Sequence, residues 1–82
     1  MGQLIRVNVT GPQHRVSILA HSYQLAYIRE TNRCSLTVNG TVKDFTLEVD
    51  YVEAGDHRVE VLNEEGHNVG SFTLSSVHEP DV

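Results

Sequence analysis

The dipeptide Asn39-Gly40 lies between two runs of alternating apolar and polar residues, and it constrains the fold more than any other local feature of the chain. Both residue types tolerate positive φ, which the type I′ turn of a two-residue β-hairpin requires. A two-residue loop at this point places Cys34 opposite Phe45. The same register puts five apolar side chains on one face of the hairpin: Cys34, Leu36, Phe45, Leu47 and Val49.

Alternation of apolar and polar residues continues along most of the chain and predicts further strands. Turn signals separate them at Gly11-Pro12, at residues 53–56 and at residues 63–66. The last turn admits a four-residue loop or a three-residue bulged loop, and only the former keeps Phe72 on the face of Val59. We therefore favour the four-residue loop. The inward positions predicted for these strands are Ile5, Val7, Val9, Val16, Ile18, Ala20, Val59, Val61, Phe72 and Leu74.

Residues 22–30 admit two interpretations. Tyr23, Leu25 and Tyr27 alternate as they do in a strand. Ser22 is instead a suitable N-cap for a short helix near 22–30 that buries Leu25 and Ile28. The aromatic content and the surrounding β pattern favour the strand.

Six to seven strands at a spacing of roughly 8–12 residues predict an all-β fold, an antiparallel immunoglobulin-like sandwich. The 82 residues of the chain make a single domain. We place this β-sandwich domain at residues 1–76 and expect residues 77–82 to form a flexible acidic tail.

Two stretches of the chain resemble a known kind of module. Residues 35–40 contain a Val-x-Gly hairpin element, and residues 52–61 contain a Gly-x-His-x-Val-x-Val strand. In these elements the chain resembles small immunoglobulin-like modules and PEGA-type sandwich domains, over about half its length. It lacks the Gly-x-Thr-Pro element of PEGA domains and the paired cysteines of antibody domains. The resemblance implies a binding or spacer role without catalytic residues.

Charge is divided unevenly along the chain, whose net charge is −5. Residues 1–43 contain five basic residues and a single acid, whereas residues 44–82 contain ten acids and a single arginine. A small domain with this division can present a strongly negative surface, which attracts basic partners. The same acidic balance argues against direct binding of nucleic acid or of anionic membranes.

Acidic residues alternate with apolar ones along the strand after the hairpin turn, so that three carboxylates are expected on its solvent face. This ladder predicts a surface for a basic protein. The other interpretation is an ordinary solvated face, in which Arg33 lies opposite Thr46 and diagonal to two of the acids. The predicted protein-binding residues are Asp44, Glu48, Asp50, Glu53, Asp56, Glu60, Glu64 and Glu65.

Several other classes of function find little support in the sequence. The five histidines show no zinc-type spacing, so we expect no metal and no cofactor. Cys34, the only cysteine, is expected to point inward as a small hydrophobe, and we expect no enzymatic activity. A single cysteine and the lack of a visible signal peptide or apolar span predict a cytoplasmic protein without membrane contact.

These features predict a non-enzymatic protein-binding module whose acidic C-terminal half engages a basic protein surface, such as that of a nucleic-acid-binding protein. A small phage-type inhibitor of a nucleic-acid-handling complex, similar in kind to anti-CRISPR proteins, is one concrete form. The alternative is a structural module, either a phage capsid or tail decoration protein or a spacer domain of a longer chain. Exposed strand edges would then mediate assembly.

Overall fold

The computed structural model describes residues 3–77, and these contain six strands and two short helices. The all-β prediction is confirmed. Within the same residues, no helix combines the length and the apolar content that crossing a bilayer requires. The elements are β1 Ile5–Thr10, β2 Arg15–Ile28, β3 Arg33–Gly40, β4 Phe45–Asp50, α1 Tyr51–Ala54, β5 Arg58–Leu62, β6 Asn68–Thr73 and a 3-10 helix Leu74–Val77.

The six strands form one open sheet in the order β4-β3-β2-β1-β5-β6, and all neighbours are antiparallel. The sheet therefore has β4 and β6 as its edges. The described strands all belong to one sheet, so they do not show the two facing sheets of a sandwich. The immunoglobulin-like sandwich therefore stays a prediction.

β2 is a single long strand with a bulge at His21, where its pairing with β3 changes register. The bulge shifts the alternation of inward and outward side chains by one residue. Ala20 and Tyr23 therefore both face the core, although regular alternation would put them on opposite faces. The first part of β2 pairs with β1 and the second part with β3. The short helix near 22–30 is therefore wrong: β3 pairs with the backbone of residues 22–28 along a strand.

The core lies on one face of the sheet, and the predicted inward positions are confirmed. Tyr23 of β2 stacks on Phe72 of β6, so the sheet curls around this face. α1 and the 3-10 helix contact each other, and both contact β3. The buried apolar residues are Val7, Val9, Ala20, Cys34, Leu36, Val38, Val49, Ala54, Val59, Val61 and Leu74.

The predicted two-residue turn at Asn39-Gly40 is wrong. Among residues 3–77 only Asn32 and Gly66 have positive φ, so no type I′ turn forms there. Val38 pairs with Phe45, and both residues of the dipeptide belong to β3, opposite β2. The predicted and observed registers differ by an even number of residues, so the five apolar side chains still share one face.

Gly40 has a steric role in this connection. A Cβ atom at Gly40 would overlap the carbonyl oxygen of Lys43 and would lie 3.4 Å from Cγ2 of Ile18. The chain therefore needs glycine where residues 41–44 turn back over the end of β3.

The turn predicted at residues 63–66 is confirmed, because the Gly66 N–H donates to the Asn63 carbonyl at 3.0 Å. It belongs to a three-residue bulged loop, so the predicted four-residue loop is wrong. The Asn63 N–H donates to the carbonyl of His67 at 2.9 Å, and Gly66 has φ of 84°. A second irregularity follows, because Leu62 pairs with Asn68 while Val61 pairs with Gly70. The extra residue at this irregularity compensates for the shorter loop, so Phe72 pairs with Val59 and faces the core as predicted.

Two short helices, α1 and the 3-10 helix, occur where the sequence predicted a turn and the end of the last strand. The turn predicted at residues 53–56 is confirmed, because the Asp56 N–H donates to the Glu53 carbonyl at 3.0 Å, but its first two residues also belong to helix α1. Leu74 is buried as expected but begins the 3-10 helix instead of belonging to the last strand. Of the predicted acidic tail, residues 78–82 lie outside the described residues.

Candidate protein-binding surface

Glu48 and Asp50 project from the outer face of β4, the face that points away from the core. β4 alternates strictly, with Leu47 and Val49 turned inward before and after Glu48. Asp44 lies before the strand begins and is exposed. The predicted ladder of three carboxylates on one strand is therefore reduced to two, with Asp44 beside it in the loop.

Arg33 of β3 neutralises part of this face. It pairs with Asp50 across the ladder, whereas Thr46 pairs with Thr37, so the predicted position opposite Thr46 is wrong. Its Nε lies 2.8 Å from Glu48 Oε2 and its Nη1 lies 2.7 Å from Asp50 Oδ1. The hydrogen bond to Glu48, followed by the nearby charge of Asp50, raises the pKa of Arg33 above its ordinary value. One cation between two carboxylates leaves a single negative charge.

The acidic segment continues beyond β4 into α1 and the turn after it. Glu53 and Asp56 are exposed, as is Asp44 at the other end of β4. Within residues 3–77, none of these three carboxylates has a hydrogen-bond or ion-pair partner. We call the set Asp44, Glu48, Asp50, Glu53 and Asp56 the acidic edge.

The other three predicted residues lie elsewhere. Glu60 is on β5, which is separated from β4 by three strands of the sheet. Glu64 Oε2 accepts a hydrogen bond from the Leu4 N–H at 3.0 Å, and Glu65 Oε1 lies 3.6 Å from His67 Nδ1. The eight predicted residues are therefore spread from β4 through α1 to the β5–β6 hairpin, and Asp56 lines the same cavity as Glu60.

A histidine pair that the sequence analysis did not single out lies beneath α1. His57 is buried, and its Nδ1 donates to the carbonyl of Glu53 at 2.8 Å, because a carbonyl oxygen can only accept. The centroid of the His14 ring lies 5.3 Å from that of the His57 ring. The Nε2 atom of His14 is buried and has no hydrogen-bond partner among residues 3–77. The alternation of His57 with Val59 and Val61 is a sequence signal that places it on the core face.

The histidine pair borders a cavity of about 480 Å³ that Glu53 and Gln13 also line. Over the described range 3–77, however, no group of three or more histidine, cysteine, aspartate or glutamate residues is arranged to hold a metal ion. The hydrogen bond from His57 links the start of β5 to α1, and Gly11 gives the imidazole ring room. A Cβ at Gly11 would come 2.6 Å from Cδ2 of His57.

Cys34 is confirmed as an inward-facing residue of β3. It is fully buried and pairs with Val49 across the ladder. Burial raises the pKa of its thiol, because the thiolate would lose its hydration. The residue therefore belongs to the core and is protected from solvent.

Comparison of the chain with known protein families, with curated proteins and with solved structures finds no match. The resemblance to immunoglobulin-like and PEGA-type modules therefore stays a prediction. The features of the molecule that bear on function are the placement of charge, the open edges of the sheet and the grooves beside them.

Proposed function

We propose that the protein is a non-enzymatic protein-binding module and that its acidic edge docks on a basic surface of a protein partner. The observation that carries this proposal is the set of three exposed carboxylates without partners: Asp44, Glu53 and Asp56. Along the chain, Asp44 precedes the Arg33-bridged pair on β4 and the other two follow it, so this segment keeps a net negative charge. Unpaired charges of one sign on one edge are available to a partner of the opposite sign.

The position of these charges on an edge strand adds a second means of binding. The outer side of β4 has no neighbouring strand among the described residues, so its N–H and C=O groups on that side can pair with a partner strand. Complementary charge would speed the encounter and make it sensitive to salt, while backbone hydrogen bonds would fix the register.

The partner class that fits best is a protein whose basic surface binds nucleic acid. Glu48 and Asp50 project from β4 about 7 Å apart along the strand, and such a row of anions can occupy a groove built for phosphates. The proposal thus includes a small phage-type inhibitor, similar in kind to anti-CRISPR proteins, acting in the cytoplasm.

A second candidate function is a structural module, and one observation favours it. The opposite edge of the sheet, β6, carries no charged residue on its six residues, and Val69 there is largely exposed. Charged residues commonly protect edge strands from pairing with other chains, and β6 lacks this protection. An immunoglobulin-like or PEGA-type decoration or spacer module would use such an edge for assembly.

The test is capture of partners on the immobilised protein, with washes at low and high salt, followed by binding measurements with the recovered partner. The variant D44N/E53Q removes two charges from the acidic edge, and the control E64Q/E65Q removes two from the turn between β5 and β6. We expect binding to weaken about tenfold or more in the first variant and to change little in the second. Equal binding by the two variants contradicts the acidic-edge proposal, and salt-insensitive self-assembly supports the structural module.

A further inference from the structure

Among residues 3–77, the first part of β2 has a neighbouring strand on one side only. Pairing with β3 begins at Ala20, opposite Gly40, and the Thr41 N–H donates to the Leu19 carbonyl at 3.0 Å where β3 ends. β2 nevertheless extends back to Arg15, and there it pairs with β1 alone. Residues 15–19 therefore form a third exposed edge, inside the sheet.

The backbone groups of this edge point toward open space. In an antiparallel strand the N–H and C=O of one residue point to the same side, and successive residues alternate sides. The Leu19 carbonyl points to the β3 side, so those of Ser17 and Arg15 do too. Neither residue has a backbone partner on that side within residues 3–77, which leaves two donors and two acceptors for a ligand.

A groove runs along this edge. Its volume is about 600 Å³, and residues 16–19 of β2 form one wall while residues 41–45 form the other. Val16, Ile18 and Phe45 are half-buried at its inner side. Val42 on the opposite wall is 93% exposed, although apolar side chains are usually covered. The groove thus combines unpaired backbone with an apolar lining, as sites for added β-strands do.

The charges around the groove indicate the chemistry of the ligand. Arg15 and Arg6 lie on the outer face, and Arg6 Nη1 donates to Ser17 Oγ at 3.1 Å. Lys43 lies on the loop wall, and Asp44 is the one acid there. Glu64 lines a neighbouring cavity together with Arg6. Three cations against two carboxylates leave a net positive charge, which favours a ligand with acidic residues.

We propose that this groove binds an extended peptide of alternating apolar and acidic residues, which adds to β2 as a strand. Its apolar residues lie beside Ile18 and Phe45, and its carboxylates lie toward Arg6 and Arg15. The five residues of the edge span about 15 Å, room for four or five peptide residues. The site takes a ligand of opposite charge to the partner of the acidic edge. The two surfaces meet at Asp44, but the unpaired backbone of β2 and the cations beside it support this proposal without the acidic edge.

The probe is a capped hexapeptide of alternating valine and glutamate. One control peptide has lysine in place of glutamate, and another has the same composition in two blocks, three valines followed by three glutamates. We expect the alternating acidic peptide to shift the amide resonances of residues 15–19 and 41–45 and to bind about tenfold more tightly than either control. Its binding should also slow hydrogen exchange at the Ser17 amide.

Two variants test the backbone pairing. S17P removes the N–H that faces the groove, and S17A keeps that N–H while both variants lose the hydroxyl that Arg6 contacts. We expect S17P to bind the peptide at least about tenfold more weakly than S17A. If S17P does not fold, V42E on the exposed loop serves instead, and its added acid should weaken peptide binding several-fold.

Three results would overturn the proposal. The first is the absence of any shift at residues 15–19 at millimolar peptide. The second is equal affinity for the acidic and the lysine peptides, or for S17A and S17P. The third is protection of the same amides that rises with protein concentration alone, because the occupant would then be a second copy of this chain.

Discussion

The ring of Tyr23 on β2 stacks on that of Phe72 on β6, with centroids 5.8 Å apart and an interplanar angle of 21°. β1 and β5 lie between these two strands in the sheet. In a flat sheet their backbones would be about 14 Å apart and their side chains would stand parallel. The contact therefore shows how strongly the sheet curls, and it joins a central strand to an edge strand.

The stacking should couple the two residues energetically. In a double-mutant cycle of Tyr23→Leu and Phe72→Leu, we expect a coupling free energy of about 0.5–1.5 kcal/mol, the range found for aromatic pairs. Urea unfolding of the four proteins measures it. Additive effects within about 0.3 kcal/mol would mean that the rings do not stack in solution.

Gly40 should tolerate no side chain. Gly40→Ala forces its Cβ against the Lys43 carbonyl, and we expect a loss of about 1–3 kcal/mol in the free energy of unfolding, as for other overpacked sites. Gly55→Ala is the matched control, because its nearest neighbour lies 3.9 Å from the added atom. If Asn39-Gly40 formed a type I′ turn, Gly40→Ala would strain the backbone at residue 40 but would not displace residues 41–44. Amide chemical shifts of residues 41–44 distinguish the two cases.

Cys34 should make stability depend on pH in the alkaline range. Because burial raises the pKa of its thiol, the folded state holds the proton more tightly than the unfolded state does. The contribution is complete below the unfolded pKa, about 8.5, and is lost as the pH rises above it. Between pH 8 and pH 10 the wild type should lose more stability than Cys34→Ala, which cannot ionise there. Parallel curves for the two proteins in urea unfolding would refute this.

Arg33 should weaken the binding of a basic partner, because it bridges Glu48 and Asp50. Arg33→Gln frees both carboxylates, and at low salt we expect affinity to rise about threefold. Arg33→Lys keeps the positive charge and serves as the control. Calorimetric titration with the captured partner measures both variants, and a decrease in affinity for Arg33→Gln would show that the partner contacts the arginine itself.

Period-two alternation was sufficient to identify which side chains face the core, because a strand with one buried face admits one assignment. It could not place the hairpin between β3 and β4. The registers that pair Cys34 with Phe45 or with Val49 bury the same residues, and the steric demand at Gly40 depends on the path of residues 41–44. The bulge in β2 did have a signal in the sequence, because the inward apolar positions of this strand are even-numbered up to Ala20 and odd-numbered from Tyr23 onward.

The candidate site was only partly predictable for a different reason. Sequence order places Glu60 and Glu48 in one acidic half, but β5 enters the sheet beside β1, far from β4. The pairing of Arg33 with Asp50 likewise depended on the true hairpin register. The groove beside Ser17 follows from how far β3 extends along β2, and no local pattern in the chain specifies that length.

The place of β1 between β2 and β5 has a consequence for how fast the chain folds. Val9 pairs with Val16 through a short hairpin and with Val59 near the other end of the chain. Closing so long a loop costs entropy before any contact compensates for it, so docking of the β5–β6 hairpin on β1 should limit the rate. Val59→Ala should then slow refolding in stopped-flow measurements, whereas Val49→Ala should mainly speed unfolding. Until that docking occurs, β1 is an edge strand of the sheet formed by β1–β4. Its unpaired backbone groups can then pair with another chain, so aggregation should be fastest at this stage of folding.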